Sequence, residues 1–175
     1  MRKLITRGIA LVLGCGLLSC APDPIDIALY TLTAEGTGPQ IGSIRARETE
    51  KGTEFSPKLS GLLPGLHGFH LHTAPNCGPA EKDGKSVPGL AAQGHFDPAN
   101  TGMHAGPEGN GHLGDLPALR VNADGEALEA VLAPRLKTSD LKGHALIIHA
   151  GGDNYSDSPE KLGGGGARVG CGVIP

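Results

Sequence analysis

Histidines at short spacings are the residues of this sequence best suited to chemistry. His70 and His72 are separated by one residue, within a segment that alternates apolar and polar side chains. Side chains two positions apart in a β-strand project from the same face, so both imidazoles can reach one metal ion. A single His-x-His pair also occurs often by chance, so the pair alone does not establish a metal site.

A second group of candidate ligands lies in and just after a long segment that has no regular periodicity. The group contains three imidazoles and one carboxylate: His95, His104, His112 and Asp115. These four side chains make up a complete tetrahedral shell for zinc, which takes neutral imidazole nitrogen and carboxylate oxygen. A complete shell indicates a structural ion.

The remaining candidates, His70, His72 and His149, supply nitrogen ligands only. Imidazoles suit copper in a tetragonal site that keeps one position for a small ligand. Because an open position indicates catalysis, the two groups together predict a redox site with two metals.

Short strands are the elements expected to position these residues. The chain has 175 residues with 29 Gly, 14 Pro and no Trp, which favours strands and turns in one domain. The strand-like segments are 25–33, 40–48, 53–59, 66–71, 116–121, 128–132, 141–149 and 167–174. Turn residues at 122–125 predict a hairpin between 116–121 and 128–132. The loop 73–114 is unusually long, which is typical of functional or disordered segments, and its histidines and cysteine favour a functional one. A second, Gly-rich loop covers 151–166.

The first 19 residues have the pattern of a signal peptide. Arg2, Lys3 and Arg7 precede an apolar run, residues 9–18, that is too short to span a bilayer. The run ends in Leu-Leu-Ser-Cys at 17–20, which resembles a bacterial lipobox, so residues 20–24 are expected to form a tether lipidated at Cys20. Several acyl chains would hold the protein on a membrane surface. Cys15 is a weaker competing site, and secretion without lipid is the alternative.

The charge left after removal of residues 1–19 restricts the partners. The whole chain has 15 Lys and Arg against 18 Asp and Glu, and the signal segment contains three of the basic residues and no acidic one. A mature net charge of −6 therefore argues against a nucleic-acid partner. It also predicts that an anionic substrate needs a local positive field.

Two cysteines, Cys77 and Cys171, remain in the part expected to fold. An even pair in an exported protein favours a disulfide, with two buried free thiols as the alternative.

Four short motifs, taken together and in this order, resemble the copper, zinc superoxide dismutases. They are Gly-Phe-His-Leu-His at 68–72, Gly-His-Phe-Asp-Pro at 94–98, His-Leu-Gly-Asp at 112–115 and Cys-Gly-Val-Ile at 171–174. The resemblance covers 25–175 and implies a Greek-key β-sandwich or flattened barrel of about eight antiparallel strands, with both metals held outside it by two long loops. It also implies dismutation of superoxide to oxygen and hydrogen peroxide in the cell envelope. The resemblance leaves open whether the protein is a monomer or a homodimer.

The resemblance implies one ligand set for each metal. The copper ligands would be His70, His72, His95 and His149, and the zinc ligands would be His95, His104, His112 and Asp115. His95 would thus serve both ions and carry a proton during turnover.

Other residues receive roles from the same resemblance. Arg168 matches the arginine that attracts and orients the superoxide anion, with a surface arginine as the alternative. Asp153 is expected to accept hydrogen bonds from His72 and His104, and His67 to tie a strand to a loop. His144 has no counterpart in the motifs and is expected to be a half-exposed strand residue.

The insertion 78–92 resembles the bacterial form of the loop. Its Lys82 and Lys85 would either steer the substrate or simply be solvated. A rival interpretation of the whole chain is a protein of the same fold that stores or carries copper and zinc without activity.

Overall fold

Alternating side chains and frequent turn residues produce a structure of short antiparallel strands. The computed structural model describes residues 22–175. Its strands are β1 (Ile25–Thr33), β2 (Gly36–Thr49), β3 (Gly52–Leu59), β4 (Gly65–His67), β5 (Phe69–His72), β6 (Ala80–Lys82), β7 (Lys85–Val87), β8 (Leu119–Val121), β9 (Val131–Ala133), β10 (Ala145–His149) and β11 (Arg168–Val173). Three short 3-10 helices lie at Leu90–Ala92, Thr138–Asp140 and Lys161–Gly164.

Seven of these strands form one curled sheet, in the order β5-β10-β11-β1-β2-β3-β9. β4 pairs with β8 and β6 pairs with β7 in two smaller sheets, and every pairing is antiparallel. The inward-facing side chains make one apolar core, in which the rings of Phe55 and Phe69 meet edge to face with centroids 5.5 Å apart. The predicted all-β flattened barrel is confirmed.

The segment 66–71 is divided into two strands at Gly68. The amide of Gly68 donates to the carbonyl of Gly151 (2.7 Å), and its carbonyl accepts from the amide of His149 (2.8 Å). These bonds occupy both backbone groups of Gly68, so the chain changes its strand partner at this residue. β4 pairs with β8, whereas β5 pairs with β10.

The predicted hairpin between 116–121 and 128–132 is wrong, although the turn at 122–125 forms, with the Gly125 amide 3.1 Å from the Asn122 carbonyl. After the turn, Ala127 exchanges two backbone hydrogen bonds of 3.1 Å with Leu59 at the end of β3. The chain therefore leaves β8 and continues into β9, which pairs with β3.

Two long loops join these strands on the side where the histidines lie. Loop 73–114 contains the small β6-β7 hairpin, and loop 150–167 runs from β10 to β11. The disulfide between Cys77 and Cys171 fastens the first loop to β11, with a Cα–Cα distance of 5.7 Å. The predicted pairing of these cysteines is confirmed.

The signal peptide at 1–19, the competing Cys15 and lipidation at Cys20 lie outside the described residues. Within 22–175, no helix is long and apolar enough to cross a membrane.

Candidate metal centre

The structure brings four imidazoles together at one end of β5 and β10. His70 and His72 lie on β5, and His149 is the last residue of β10. His95 comes from loop 73–114 and forms an isolated β-bridge with His72. One nitrogen from each ring lies within 4.8 Å of the others, and none of the four residues is more than 7% exposed. We call these residues the four-histidine cluster.

The second predicted group also converges. The Nδ1 atoms of His95, His104 and His112 lie 2.9, 3.0 and 3.2 Å from the same oxygen, Oδ1 of Asp115. Four ligand atoms around one tetrahedral zinc ion are separated from one another by about 3.3 Å, given bonds of about 2.0 to 2.1 Å. The spacing of these four residues, which we call the aspartate cluster, therefore fits such an ion.

Buried ring nitrogens without hydrogen-bond partners are the strongest sign that the four-histidine cluster fits a cation. Among the described residues, Nδ1 of His70 and Nε2 of both His72 and His149 have no partner. An unpaired buried polar atom destabilises a fold by about 1 to 3 kcal/mol. Three such atoms that face one another are explained by a bound metal, because each nitrogen then donates its lone pair. Nδ1 of His104 is also without a hydrogen bond, although it lies 3.0 Å from Asp115 Oδ1.

Backbone carbonyls fix which nitrogen of two rings faces the cluster. Nδ1 of His72 donates to the carbonyl of Gln93 at 2.8 Å, and Nδ1 of His149 donates to that of Gly166 at 3.2 Å. The proton is therefore held on Nδ1 in both rings, so Nε2 is the nitrogen free to bind a metal.

Asp153 connects the two clusters, but not through the histidine that the sequence predicted. Its Oδ2 accepts from Nε2 of His70 and its Oδ1 accepts from Nε2 of His104, both at 2.8 Å. The predicted bond to His72 is wrong. Gly68, just before β5, hydrogen-bonds to Gly151, so His70 lies beside the loop that carries Asp153. Thr73, just after β5, hydrogen-bonds to Gly94, so His72 lies beside Gln93 instead.

Burial keeps the histidines of the first cluster neutral. Desolvation lowers the pKa of His95 to about 4 and that of His149 to about 3, and it also lowers the pKa values of His70 and His72. Neutral imidazole is the form that binds metal through one nitrogen, so at pH 7 these rings do not have to lose the proton of a charged imidazolium before binding.

The carboxylates of Asp115 and Asp153 raise the pKa of His104, whereas burial lowers it. Burial alone would lower its pKa, but the carboxylates of Asp115, 3.0 Å from Nδ1, and Asp153, 2.8 Å from Nε2, outweigh this and raise it to about 9. Although burial opposes ionisation of the two carboxyl groups, their hydrogen bonds to histidines hold both pKa values well below the usual range. The aspartate cluster therefore attracts positive charge, whether a proton or a metal cation.

Arg168 lies at the first position of β11, directly opposite His149. Its guanidinium donates to the carbonyls of Gly89 (2.6 Å) and Gln93 (2.7 Å). It borders an open cavity of about 350 Å³ that leads to His149. The lining residues are His149, Glu160, Lys161, Leu162, Gly164, Gly166 and Arg168. This cavity can admit a small anion beside the four-histidine cluster.

Gln93 and Asp157 were missed by sequence reasoning. Gln93 adopts a positive φ of 66°, which directs its carbonyl to both His72 and Arg168. The Asp157 carboxylate accepts from the amides of His104 (2.8 Å) and Leu162 (3.0 Å), so it fastens the two loops together. Neither residue belongs to a local motif that would have identified it.

The two histidines outside the clusters have structural contacts. His67 is buried and bonds to the carbonyls of His149 (2.6 Å) and Leu63 (2.7 Å), as expected of a residue that ties strand to loop. His144 is half-buried and bonds to the carbonyl of Thr73 at 2.7 Å, but it precedes β10 and is not a strand residue as predicted.

The lysines of the insertion lie on the small hairpin. Lys82 and Lys85 form its last register pair and both are exposed. Their role in substrate steering stays a prediction.

Known proteins match this chain over nearly its whole length. Residues 40–174 match the family model described as copper/zinc superoxide dismutase (SODC). The chain is 53% identical over 175 residues to the Cu-Zn superoxide dismutase of Escherichia coli K12, covering 99% of each sequence. The structure resembles the Cu/Zn superoxide dismutase from Brucella abortus, with a TM-score of 0.86, 51% identity and coverage of 87% of this chain and 100% of that one.

A second solved structure matches the same share of this chain. It is the solution structure of the monomeric copper, zinc superoxide dismutase from Salmonella enterica, with a TM-score of 0.79, 55% identity, and coverage of 87% of this chain and 100% of that one. The matched family model and the high identity over full coverage lead to one conclusion. The chain belongs to the copper/zinc superoxide dismutase family.

Proposed function

We propose that the four-histidine cluster holds copper, that the aspartate cluster holds zinc, and that His95 is a ligand of both. The activity is that of the family: the protein is an enzyme that converts superoxide into oxygen and hydrogen peroxide, with copper and zinc as cofactors. The observation that supports the ligand assignment best is the membership of His95 in both clusters. Each of its ring nitrogens can face one of the two ions.

Copper, when bound, supplies a centre that takes one electron from a first superoxide anion and returns it to a second, and zinc supplies a fixed positive charge. The protein must provide protons, because hydrogen peroxide contains two. His95 can take a proton at the nitrogen facing the four-histidine cluster and later give it to the product, while its other nitrogen stays aimed at the aspartate cluster. A second proton comes from solvent through the open cavity.

Arg168 is proposed to attract and orient the superoxide anion. Its guanidinium is fixed by two carbonyls and borders the cavity beside His149. Because the expected mature chain is negatively charged overall, a local cation is needed to draw an anion to the cluster.

Asp153 is proposed to position the two clusters relative to each other. A carboxylate that accepts from His70 and His104 sets the orientation and protonation of both rings, and so raises their strength as ligands.

Storage or transport of copper and zinc without activity is the rival function, and the names of the relatives do not favour it. The test is to measure superoxide removal together with metal content. A His149→Ala variant is expected to lose activity and copper but to keep zinc. Full copper and zinc occupancy without superoxide removal in the unaltered protein would contradict the enzyme, and an unchanged rate in the variant would contradict the copper assignment.

We infer further that the protein is exported to the periplasm or cell envelope and anchored by lipid at Cys20. Support comes from the signal-like residues 1–19 and from the Cys77–Cys171 disulfide, which is typical of oxidising compartments. The mass of the protein in a detergent extract tests both points. The expected mass corresponds to a chain that begins at Cys20 with acyl groups attached, and an unmodified cleaved chain would contradict the anchor.

A homodimer stays a prediction. The Salmonella enterica relative is described as monomeric, and sedimentation of the mature, metal-loaded protein would decide the state of this one.

A further inference from the structure

Arg135 lies outside both clusters and yet directs its whole guanidinium at one loop. It is half-buried in the turn after β9. Nε donates to the carbonyl of Pro107 (3.0 Å), Nη1 to that of Gly111 (3.1 Å), and Nη2 to those of Gly106 (3.3 Å) and His112. Four backbone carbonyls from one short segment thus converge on one side chain.

That segment, residues 104–112, begins and ends with members of the aspartate cluster, His104 and His112. Its ends are held together by a hydrogen bond of 2.9 Å from the His112 amide to the Met103 carbonyl. Gly111 allows this closure, because a Cβ there would lie 2.3 Å from the Met103 oxygen. The loop is therefore a closed unit whose conformation sets the position of two proposed zinc ligands.

Carbonyl oxygens that point towards one another repel unless donors lie between them. A guanidinium has five N–H donors in a rigid plane, whereas a lysine ammonium has three around a single point. No Asp or Glu among residues 22–175 forms an ion pair with Arg135. Its charge is therefore compensated within the described structure by the loop carbonyls, which indicates that its role is to hold that loop.

The backbone that carries Arg135 is fixed to the barrel. Leu136 is fully buried, and its carbonyl accepts from the hydroxyl of Thr53 at 2.9 Å. On the other side of the turn, the backbone of Ala133 packs closely on Gly52. A Cβ added at Gly52 would lie 2.3 Å from the Ala133 oxygen. Arg135 thus connects a rigid part of the barrel to the loop of the aspartate cluster.

We propose that Arg135 is a positioning residue for zinc, which holds residues 104–112 so that His104 and His112 face Asp115 before the ion arrives. The inference rests on the proposed zinc assignment. Loss of a residue that orients metal ligands weakens metal binding by about 10- to 100-fold, because the loop must then be ordered when the ion binds.

The test compares Arg135→Gln and Arg135→Lys with Arg120→Gln, a matched change of an exposed arginine that has only a 3.8 Å contact to Glu129. Zinc release to a chelator is followed by stopped flow in the copper-loaded protein. We expect release to be about 10- to 100-fold faster in Arg135→Gln. Arg135→Lys should fall between this variant and the parent, because it keeps the charge but not the planar donors. Release within about twofold of Arg120→Gln in both variants would overturn the proposal.

A measurement on the unaltered protein covers the case in which the variants do not fold. In the metal-free protein with its disulfide intact, hydrogen exchange at the His112 amide should be slowed, because Arg135 orders the loop without metal. Exchange at the rate of an unstructured peptide would overturn the proposal. A His112→Ala variant separates the two claims: if it retains zinc like the parent, the zinc assignment fails and the role of Arg135 fails with it. If it loses zinc, the zinc assignment stands, and the Arg135 variants then decide whether Arg135 positions the loop.

Discussion

The guanidinium of Arg168 and the carbonyl of Gln93 are joined by a hydrogen bond of 2.7 Å. The same carbonyl accepts from Nδ1 of His72 at 2.8 Å. One backbone oxygen thus fixes both a ring of the four-histidine cluster and the cation at the entrance of the cavity. The proposed anion-binding group is thus held at a constant position relative to the proposed copper site.

Replacement of Arg168 should slow the reaction without removing the metals. We expect Arg168→Gln to lower the rate of superoxide removal by about 10-fold or more, because local positive charge raises association rates of anions by about 10- to 1,000-fold. Arg168→Lys should lose less, since it keeps the charge but not the two fixed hydrogen bonds. Pulse radiolysis measures these rates directly.

The dependence on ionic strength provides a further check of the Arg168 prediction. The rate of the parent should fall with added salt, and that of Arg168→Gln should fall less steeply. Arg120→Gln serves as the control and should behave like the parent. Equal rates and equal salt dependence in Arg168→Gln and the parent would show that Arg168 does not attract the substrate.

Replacement of Asp153 should loosen both metals at once. In Asp153→Asn the amide can accept only one of the two bonds now made by His70 and His104, and the charge is lost. We expect affinity for each metal to fall by about 10- to 100-fold, as measured by competition with chelators. Asp124→Asn is the control, because Asp124 is exposed in the turn at 122–125 and is a member of neither cluster. Loss of affinity for a single metal would show that Asp153 does not couple the clusters.

Removal of the disulfide should destabilise the fold. Cys77 and Cys171 are separated by 94 positions, and a crosslink over such a distance restricts the unfolded chain strongly. We expect the double change to Ser to lower the free energy of unfolding of the metal-free protein by about 2 to 5 kcal/mol, measured in urea. A reductant should lower the stability of the parent to a similar extent and leave the double variant unaffected. Equal stability of the two proteins would contradict this role.

The stability of the metal-free protein should depend on pH through the buried histidines. The pKa values of His95 and His149 are lowered to about 4 and about 3, so between pH 4.5 and 6.5 these rings take up protons in the unfolded chain but not in the folded one. Stability therefore rises with pH over this range. The pKa of His104 is raised to about 9, so its contribution is lost as the pH rises from about 6.5 through 9.

Urea midpoints from pH 4.5 to 9 test this dependence. We expect a maximum near pH 6.5 to 7, and a shallower rise below it in His149→Ala. The carboxyl groups of Asp115 and Asp153 have lowered pKa values, so the stability they contribute is lost only at pH values below those measured. The change in midpoint between pH 4.5 and 6.5 therefore reports on the histidines. Midpoints that are constant or higher at pH 4.5 would contradict the neutral, buried state of the histidines.

The sequence predicts the parts of the site that depend on local spacing. Alternation places His70 and His72 on one face of β5, and the long loop does carry His95, His104 and His112. The partner of Asp153 was predicted incorrectly because it depends on which end of β5 meets which loop, and this is settled by the change of strand partner at Gly68. The contacts of Gln93 and Arg135 join residues far apart in the chain, so no local motif indicates them.

The sharing of His95 is the central claim, and one spectroscopic measurement tests it most directly. Copper(II) is loaded into both clusters in place of copper and zinc, and its electron paramagnetic resonance is recorded at low temperature. If a single imidazole joins the two ions, their spins couple and the signal of isolated copper disappears, whereas His95→Ala restores a signal from any copper that still binds. Two independent copper signals that account for all the metal in the unaltered protein would contradict the shared ligand.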